Sequence, residues 1–169
     1  SNTVNRFAGR SLDSSFAAAY FPDVVITDPS TATNVQCPPS VAVLGAFSLN
    51  DAVAHPWFAP AGFNRGALDF VRNTGTRLTA LDRDTLYDTR INPIANFPNG
   101  GFVIFGQKTL QMQKSALDRV NVRRCLLEIK RLVVGVPNRL LFEQNTPATR
   151  ARFVAQVTPL LALVQAQAG

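Results

Sequence analysis

Residues 97–134 read FPNGGFVIFGQKTLQMQKSALDRVNVRRCLLEIKRLVV, and the order of features in this stretch decides the fold. Pro98, Asn99, Gly100 and Gly101 accept tight or positive-φ geometry, so the stretch opens on a turn. Phe102-Val103-Ile104-Phe105 follows as a continuous β-prone apolar run. Its lack of polar alternation predicts a strand buried on both faces, in a sheet covered by helices. Gly106 ends that strand. Beyond Lys114 and Ser115 the apolar period changes to three and four: Val122, Cys125, Leu126, Ile129, Leu132 and Val133 share one helical face, while Arg123, Arg124, Glu128, Lys130 and Arg131 fall mostly opposite. Turn, buried strand and basic amphipathic helix in that order predict an α/β protein, a mixed sheet flanked by helices.

Upstream of that stretch, residues 1–10 read as a polar linker or arm, and Ser11 or Asp13 predicts a cap for a short helix over Phe16–Ala19, closed by Phe21-Pro22. Asp23–Thr27 reads as a strand ended by Asp28-Pro29, and Thr31–Gln36 as loop. Pro38-Pro39-Ser40 enters a helix running from about Pro39 to Ala54, with Val41, Leu44, Phe47 and Leu49 as its partial apolar stripe. His55–Gly62 is a Pro-rich loop in which Trp57-Phe58 reads as a core plug. Gly66–Arg72 predicts a strand. Thr79–Tyr87 predicts a short helix with Leu81 and Leu86 inward and an acidic edge of Asp82, Asp84 and Asp88, and Ile91–Ala95 a short extended piece.

Downstream, Gly135-Val136-Pro137 breaks the long helix and Asn138–Glu143 reads as a strand or a helical turn. Thr146 as cap and Pro147 at the first helical position start a last helix, whose apolar face is Phe153, Val154, Val157, Leu160, Leu161 and Val164, to about Gln167. Pro159 inside it predicts a kink or a split, since an interior proline costs about 3 kcal/mol. Gly169 ends the chain.

Composition narrows the function. A chain of 169 residues with 46% hydrophobic content is about one domain with a real core. No run approaches the ~18 apolar residues of a membrane span, so no membrane insertion is expected. The net charge of +6 comes from 14 Arg and 3 Lys against 9 Asp and 2 Glu. The arginines are spread from Arg6 to Arg152 rather than gathered on an aromatic-studded face, which argues against direct nucleic-acid binding and leaves a small basic nucleic-acid-binding protein as a distant alternative. Preference for Arg over Lys suits protein interfaces, because the planar guanidinium bonds carboxylates bidentately and desolvates more readily. One His beside a proline and two distant cysteines, Cys37 and Cys125, make no metal site or disulfide framework, and no nucleophile–base pair or phosphate loop occurs. Catalytic, cofactor-binding and metal-binding residues are therefore expected to be none.

FPNGG, a β-run ending in FGQKTL, and LDRVNVRR opening a helix together resemble the most recognisable block of contractile tail sheath proteins, the sheaths of contractile-tailed phages and related injection particles. The resemblance extends in order through Ala19–Pro22, Thr27–Pro29, Pro38–Gly45, Trp57–Pro60, Ile91–Ile94 and Leu141–Asn145, almost the whole chain. It implies that residues 1–169 are a single tail-sheath core domain, a fragment without the N-terminal arm, outer domains and C-terminal arm by which subunits add strands to their neighbours' sheets. It implies a structural subunit, not an enzyme, stacking in six-fold rings as a helical homo-oligomer around an inner tail tube protein, with baseplate and tail terminator proteins at the ends. The implied setting is the virion, in the tail sheath, assembled in the host cytoplasm; a bacteriocin or secretion-type particle is the alternative. The expected mechanism is mechanical, one set of contacts between subunits being exchanged for another on contraction. Arg119, Arg123, Arg124, Lys130 and Arg131, with the stranded Leu127, are candidates to meet Asp82, Asp84 or Asp88 of another subunit. Arg150 and Arg152 are candidates for the inner tube, because in the family an inner-face helix makes that contact.

Overall fold

In a computed structural model, the structure describes residues 2–136, 138 and 140–167. The chain divides into two compact units, residues 1–123 and 124–169. The first holds α1 (Asn2–Ala8), β1 (Ala19–Phe21), β2 (Val24–Thr27), β3 (Asn34–Cys37), α2 (Pro39–Val53), β4 (Val71–Thr74), α3 (Ala80–Asp88), β5 (Ile91–Phe97) and β6 (Gly101–Ile104). The boundary falls within α4 (Val120–Val134), and α5 (Pro147–Ala166) belongs to the second unit.

The strands form two small sheets of three. One is mixed: β5 pairs parallel with β1 and antiparallel with β6. The other is antiparallel throughout, with β2 between β3 and β4. The mixed α/β class expected from the sequence is what is seen, with the strands shared between two sheets rather than gathered in one. Val24, Ala42, Val43, Ala46, Leu68, Val71, Ile94 and Ile104 make the core of the first unit, so β2 and β4 of one sheet, β5 and β6 of the other, and α2 all feed one apolar cluster.

The hairpin at Pro98–Gly100 forms as its residues dictate. Phe97 pairs with Gly101, and Gly101 takes a φ of 63°, which favours glycine. At Gly100 the neighbour is a side chain: a Cβ there would stand 2.4 Å from the ring of Phe63 as it lies in the structure. Within β6 only Val103 and Ile104 are fully buried, and Phe105 just beyond it is 46% exposed. The strand is an edge whose far side is met by the 66–68 segment, with Ile104 N–H donating to the Gly66 carbonyl and Leu68 N–H to that of Phe102. Burial on both faces belongs instead to β5, where Ile91 to Ala95 are buried in succession. Pro93 is tolerated in this central strand because it stands where the ladder passes from one neighbour to the other. The β1 pairing ends at Phe21 with Pro93, the β6 pairing begins at Ile94, and the Pro93 carbonyl accepts from Phe105 N–H.

Several expectations are corrected. Residues 2–8 form a helix with no buried side chain, where the polar sequence predicts a linker or arm. No helix forms over Phe16–Ala19: Ala19 enters β1, the pairing with β5 overriding alanine's helix preference. Asn34–Cys37 is a strand rather than loop, paired along all of β2; its exposure left no apolar alternation to read. The strand expected at Gly66–Arg72 sits at Val71–Thr74, and Leu81, expected inward, is 76% exposed while Leu86 is buried. Helix α2 occupies the expected span, and Phe47 packs against the core as expected, but the rest of the inward face differs. Ala42, Val43, Ala46 and Asn50 are buried, and Val41, Leu44 and Leu49 are exposed. Small residues at 42 and 46 let the helix backbone approach the core closely, an outcome that hydrophobicity ranking alone does not foresee.

Trp57 is buried, and His55 lies flat against it with ring centroids 4.6 Å apart, so the lone histidine is a packing residue. In the second unit, Thr146 caps α5 by accepting from Thr149 N–H, and Pro147 follows at the first turn as expected. α5 runs unbroken through Pro159, so no split occurs. Phe153, Val157, Leu160 and Val164 turn inward on it and Leu161, though 43% exposed, also lies on the expected face, while Val154, expected there, is exposed. Ile129, Leu132 and Val133 of α4 share an apolar seam with Leu160, Leu161 and Val164. α4 ends at Val134; Pro137, read as part of that break, lies outside the described residues, as do Arg139 and Gly169.

Candidate interaction surface

The motif pieces Ile91-Asn92-Pro93, Phe105–Leu110 and Leu117–Val120 are joined by one set of braces. Asn92, fully buried, donates from Nδ2 to the carbonyls of Ala19 (3.1 Å) and Lys108 (2.8 Å), and its Oδ1 accepts from Lys108 N–H at 2.6 Å. Gly106 leaves room for that side chain, since a Cβ there would lie 2.9 Å from Asn92 Oδ1. On the other side, Thr109 N–H donates to the Asp118 carbonyl, Thr109 Oγ1 to that of Leu117, and Val120 N–H to that of Gln107. Buried polar groups matched in this way tie 107–109 to 117–120 and to β5.

The braces set the cations around Tyr87, at the end of α3. Lys108 Nζ stands 3.7 Å from the centroid of the Tyr87 ring and donates to the Tyr87 carbonyl at 2.8 Å. Arg119 Nη1 donates to Tyr87 Oη at 2.5 Å. Arg90, at a φ of 68°, donates from Nη2 to the Met112 carbonyl. Arg90 and Arg119 share one carboxylate, Asp118, at 3.6 and 3.3 Å. Burial, then the nearby Arg90 guanidinium, hold the Lys108 amine below the usual lysine range.

The other charged candidates are distributed as follows. Asp82 is spent within its own helix, accepting from Thr79 N–H (3.0 Å) and Oγ1 (2.6 Å) in a capping box, and the Thr79 hydroxyl holds its carboxyl below the usual range. Asp84 and Asp88 are exposed on the same helix. Arg123 bonds Ser15 Oγ and places its guanidinium 4.0 Å over the ring of Phe16, which is 73% exposed. In the second unit, Arg131 grips Glu128 bidentately at 2.8 and 2.5 Å, a bond that holds the Glu128 carboxyl low. Lys130 is exposed and, among the described residues, has no ion-pair partner; Leu127 beside it is 45% exposed and Arg124 is half-buried. Arg150 and Arg152 are exposed in the first turns of α5.

The structure thus joins Arg119 to Tyr87 and Asp118 of its own chain. Arg90, Lys108, Asp118 and Tyr87 were missed. Lys108 and Asp118 lie inside the motif block, but nothing in their spacing points to Tyr87. Among the described residues no group of three His, Cys, Asp or Glu could hold a metal.

No family model matches the chain. Relatives and solved structures do. The chain is 38% identical over 123 residues to the tail sheath protein of Vibrio phage KVP40, covering 73% of the chain and 18% of that protein. It is 32% identical over 128 residues to the tail sheath protein of Enterobacteria phage T4, covering 76% and 19%. The sheath complex of an extracellular contractile injection system (PVC) in its contracted state superposes with a TM-score of 0.85 at 27% identity, over 99% of the chain and 46% of that one. The contracted helical sheath of the anti-feeding prophage gives 0.80 at 25% identity, over 93% and 42%. The chain therefore spans under a fifth of the length of the curated relatives it matches and under half of the solved chains.

Proposed function

We propose that this chain, which belongs to the contractile tail sheath family, is the core of a sheath subunit that stacks helically around an inner tube and drives it through a host envelope by contracting. The observation that supports this most strongly is the likeness to the contracted injection-system sheath over 99% of the chain, together with phage sheath relatives at 38% and 32% identity. The work is mechanical and no residue is assigned a catalytic role. The setting is a phage tail, in keeping with the phage relatives. A bacteriocin-like or secretion-type particle is the second reading, favoured by the injection-system likeness. Partners are further copies of the subunit, the inner tube, and baseplate and terminator proteins.

Within this reading, Arg150 and Arg152 face an acidic inner tube. Both are exposed on a helix whose cap and apolar seam do not involve them. Negative-stain electron microscopy of the complete subunit tests the assembly: uniform hollow, ridged tubes are expected. Monomers that stay monomeric even with the inner tube protein added would sink the sheath reading. Charge reversal at Arg150 and Arg152 is expected to leave the fold intact and release the inner tube, and undiminished tube retention removes that contact.

A further inference from the structure

We infer that the cleft formed by Arg90, Lys108, Lys114, Ser115, Asp118 and Arg119 is an oxyanion-binding pocket whose ligand presents two or more carboxylates. Among the described residues, four cations line a cavity of about 560 Å³ and only one carboxylate, Asp118, lines it with them. That carboxylate is divided between Arg90 and Arg119, and among the described residues Lys108 has no acid within ion-pair distance. Asp88, outside the lining, acts on Lys108 only through space and leaves the cluster positive.

Ordinary surface cations spread apart into solvent, where like charges repel least. Three of these do not, because besides the single Asp118 carboxylate that two of them share, each is tied down by an uncharged group. Lys108 is fixed by the Tyr87 ring and carbonyl, Arg119 by the Tyr87 hydroxyl, and Arg90 by the Met112 carbonyl at a backbone angle that non-glycine residues rarely adopt. The Asn92 clamp and the Lys108–Arg119 bridge hold the two halves of the cleft in register. Preformed donors around an unneutralised space favour binding of a matching anion, since little ordering remains to be done when it arrives. The cavity is larger than one carboxylate needs and suits a polycarboxylate or two adjacent acidic side chains of a protein segment. Neither source depends on the sheath reading.

Amide chemical-shift titration of the chain at constant ionic strength tests this, with citrate in one arm and a short peptide carrying two adjacent aspartates in the other. Saturable shifts confined to residues 87–90, 108 and 114–119 are expected, and the arm that binds more tightly identifies the source as free polycarboxylate or protein. Lys114→Glu, at an exposed rim position whose side chain makes no hydrogen bond or ion pair among the described residues, is expected to weaken binding about fivefold or more. Asp84→Asn outside the cleft is expected to leave it unchanged. Shifts scattered over the arginines of the whole surface in both arms, or undiminished affinity in Lys114→Glu, would overturn the assignment.

Discussion

At the scale of single residues, two glycines near one hairpin show how the surroundings, rather than the nearest distance, set the cost of a side chain. A Cβ at Gly100 would meet the Phe63 ring at 2.4 Å, but Phe63 is 53% exposed and its ring can swing outward, giving up its edge contact with Phe97. A Cβ at Gly106 would meet Asn92 Oδ1 at 2.9 Å, Pro93 Cδ at 3.1 Å and Asn92 Cα at 3.2 Å, and none of these can move without breaking the Asn92 clamp. Gly106→Ala is therefore expected to destabilise by about 1–3 kcal/mol, and Gly100→Ala by less than about 1 kcal/mol, in urea unfolding of the chain. The reverse order would show that the clamp is softer than its hydrogen bonds suggest. The same clamp marks a limit of legibility. Turn chemistry exposed the hairpin in the sequence, because Asn-Gly-Gly is a local signal. The role of Asn92 was hidden, because its partners Ala19 and Lys108 are distant in the chain and one buried amide leaves no period to read.

Among the elements, α2 separates what periodicity can and cannot decide. Its start was legible from Pro38-Pro39-Ser40, yet of the apolar residues ranked as its inner stripe only Phe47 packs against the core, and Val41, Leu44 and Leu49 lie outward. Alanine and valine fill the space against the core, and Val41, Leu44, Leu49 and Val53 are 50, 66, 51 and 67% exposed. Replacing Leu44 with Glu is expected to change the stability of the isolated chain by no more than about 0.5 kcal/mol, whereas Ala46→Leu, at a position 1% exposed, should cost about 1–3 kcal/mol by overpacking. Thermal unfolding of both variants checks this, and a large loss in Leu44→Glu alone would restore the stripe that the sequence suggested. The contrast with α4 is instructive. There the three-and-four spacing of Ile129, Leu132 and Val133 did mark the packed side, because the residues opposite are charged and leave no competing apolar face. In α2 apolar residues lie on both sides, so size and closeness of approach decide, and neither is written in a hydropathy pattern.

Taken whole, the molecule carries a net charge of +6 but uses much of it internally, and that restricts how copies can meet. Arg119 serves Tyr87 and Asp118, Arg123 serves Ser15 and Phe16, Arg131 serves Glu128, and Asp82 serves Thr79. A contact between subunits through any of these must share or break an existing bond. Since exposed ion pairs contribute only about 0–1 kcal/mol each, little would be gained by the exchange. Lys130 and Asp84 are different: both are exposed, and among the described residues neither has an ion-pair partner. We therefore expect the charge contact between sheath subunits, proposed from the segregation of basic α4 and acidic α3, to run through this pair. In the complete subunit, Lys130→Glu alone and Asp84→Lys alone should each reduce the yield of tubes seen by electron microscopy and make assembly more sensitive to salt. The two changes together should restore it, because the pair is remade with its signs exchanged. Restoration separates a direct contact from general loss of surface charge, since each single change shifts net charge by two and the double change leaves it at its original value. A double variant that assembles no better than either single one would place the contact elsewhere, and singles that assemble like the parent would remove electrostatic pairing at these positions from the mechanism.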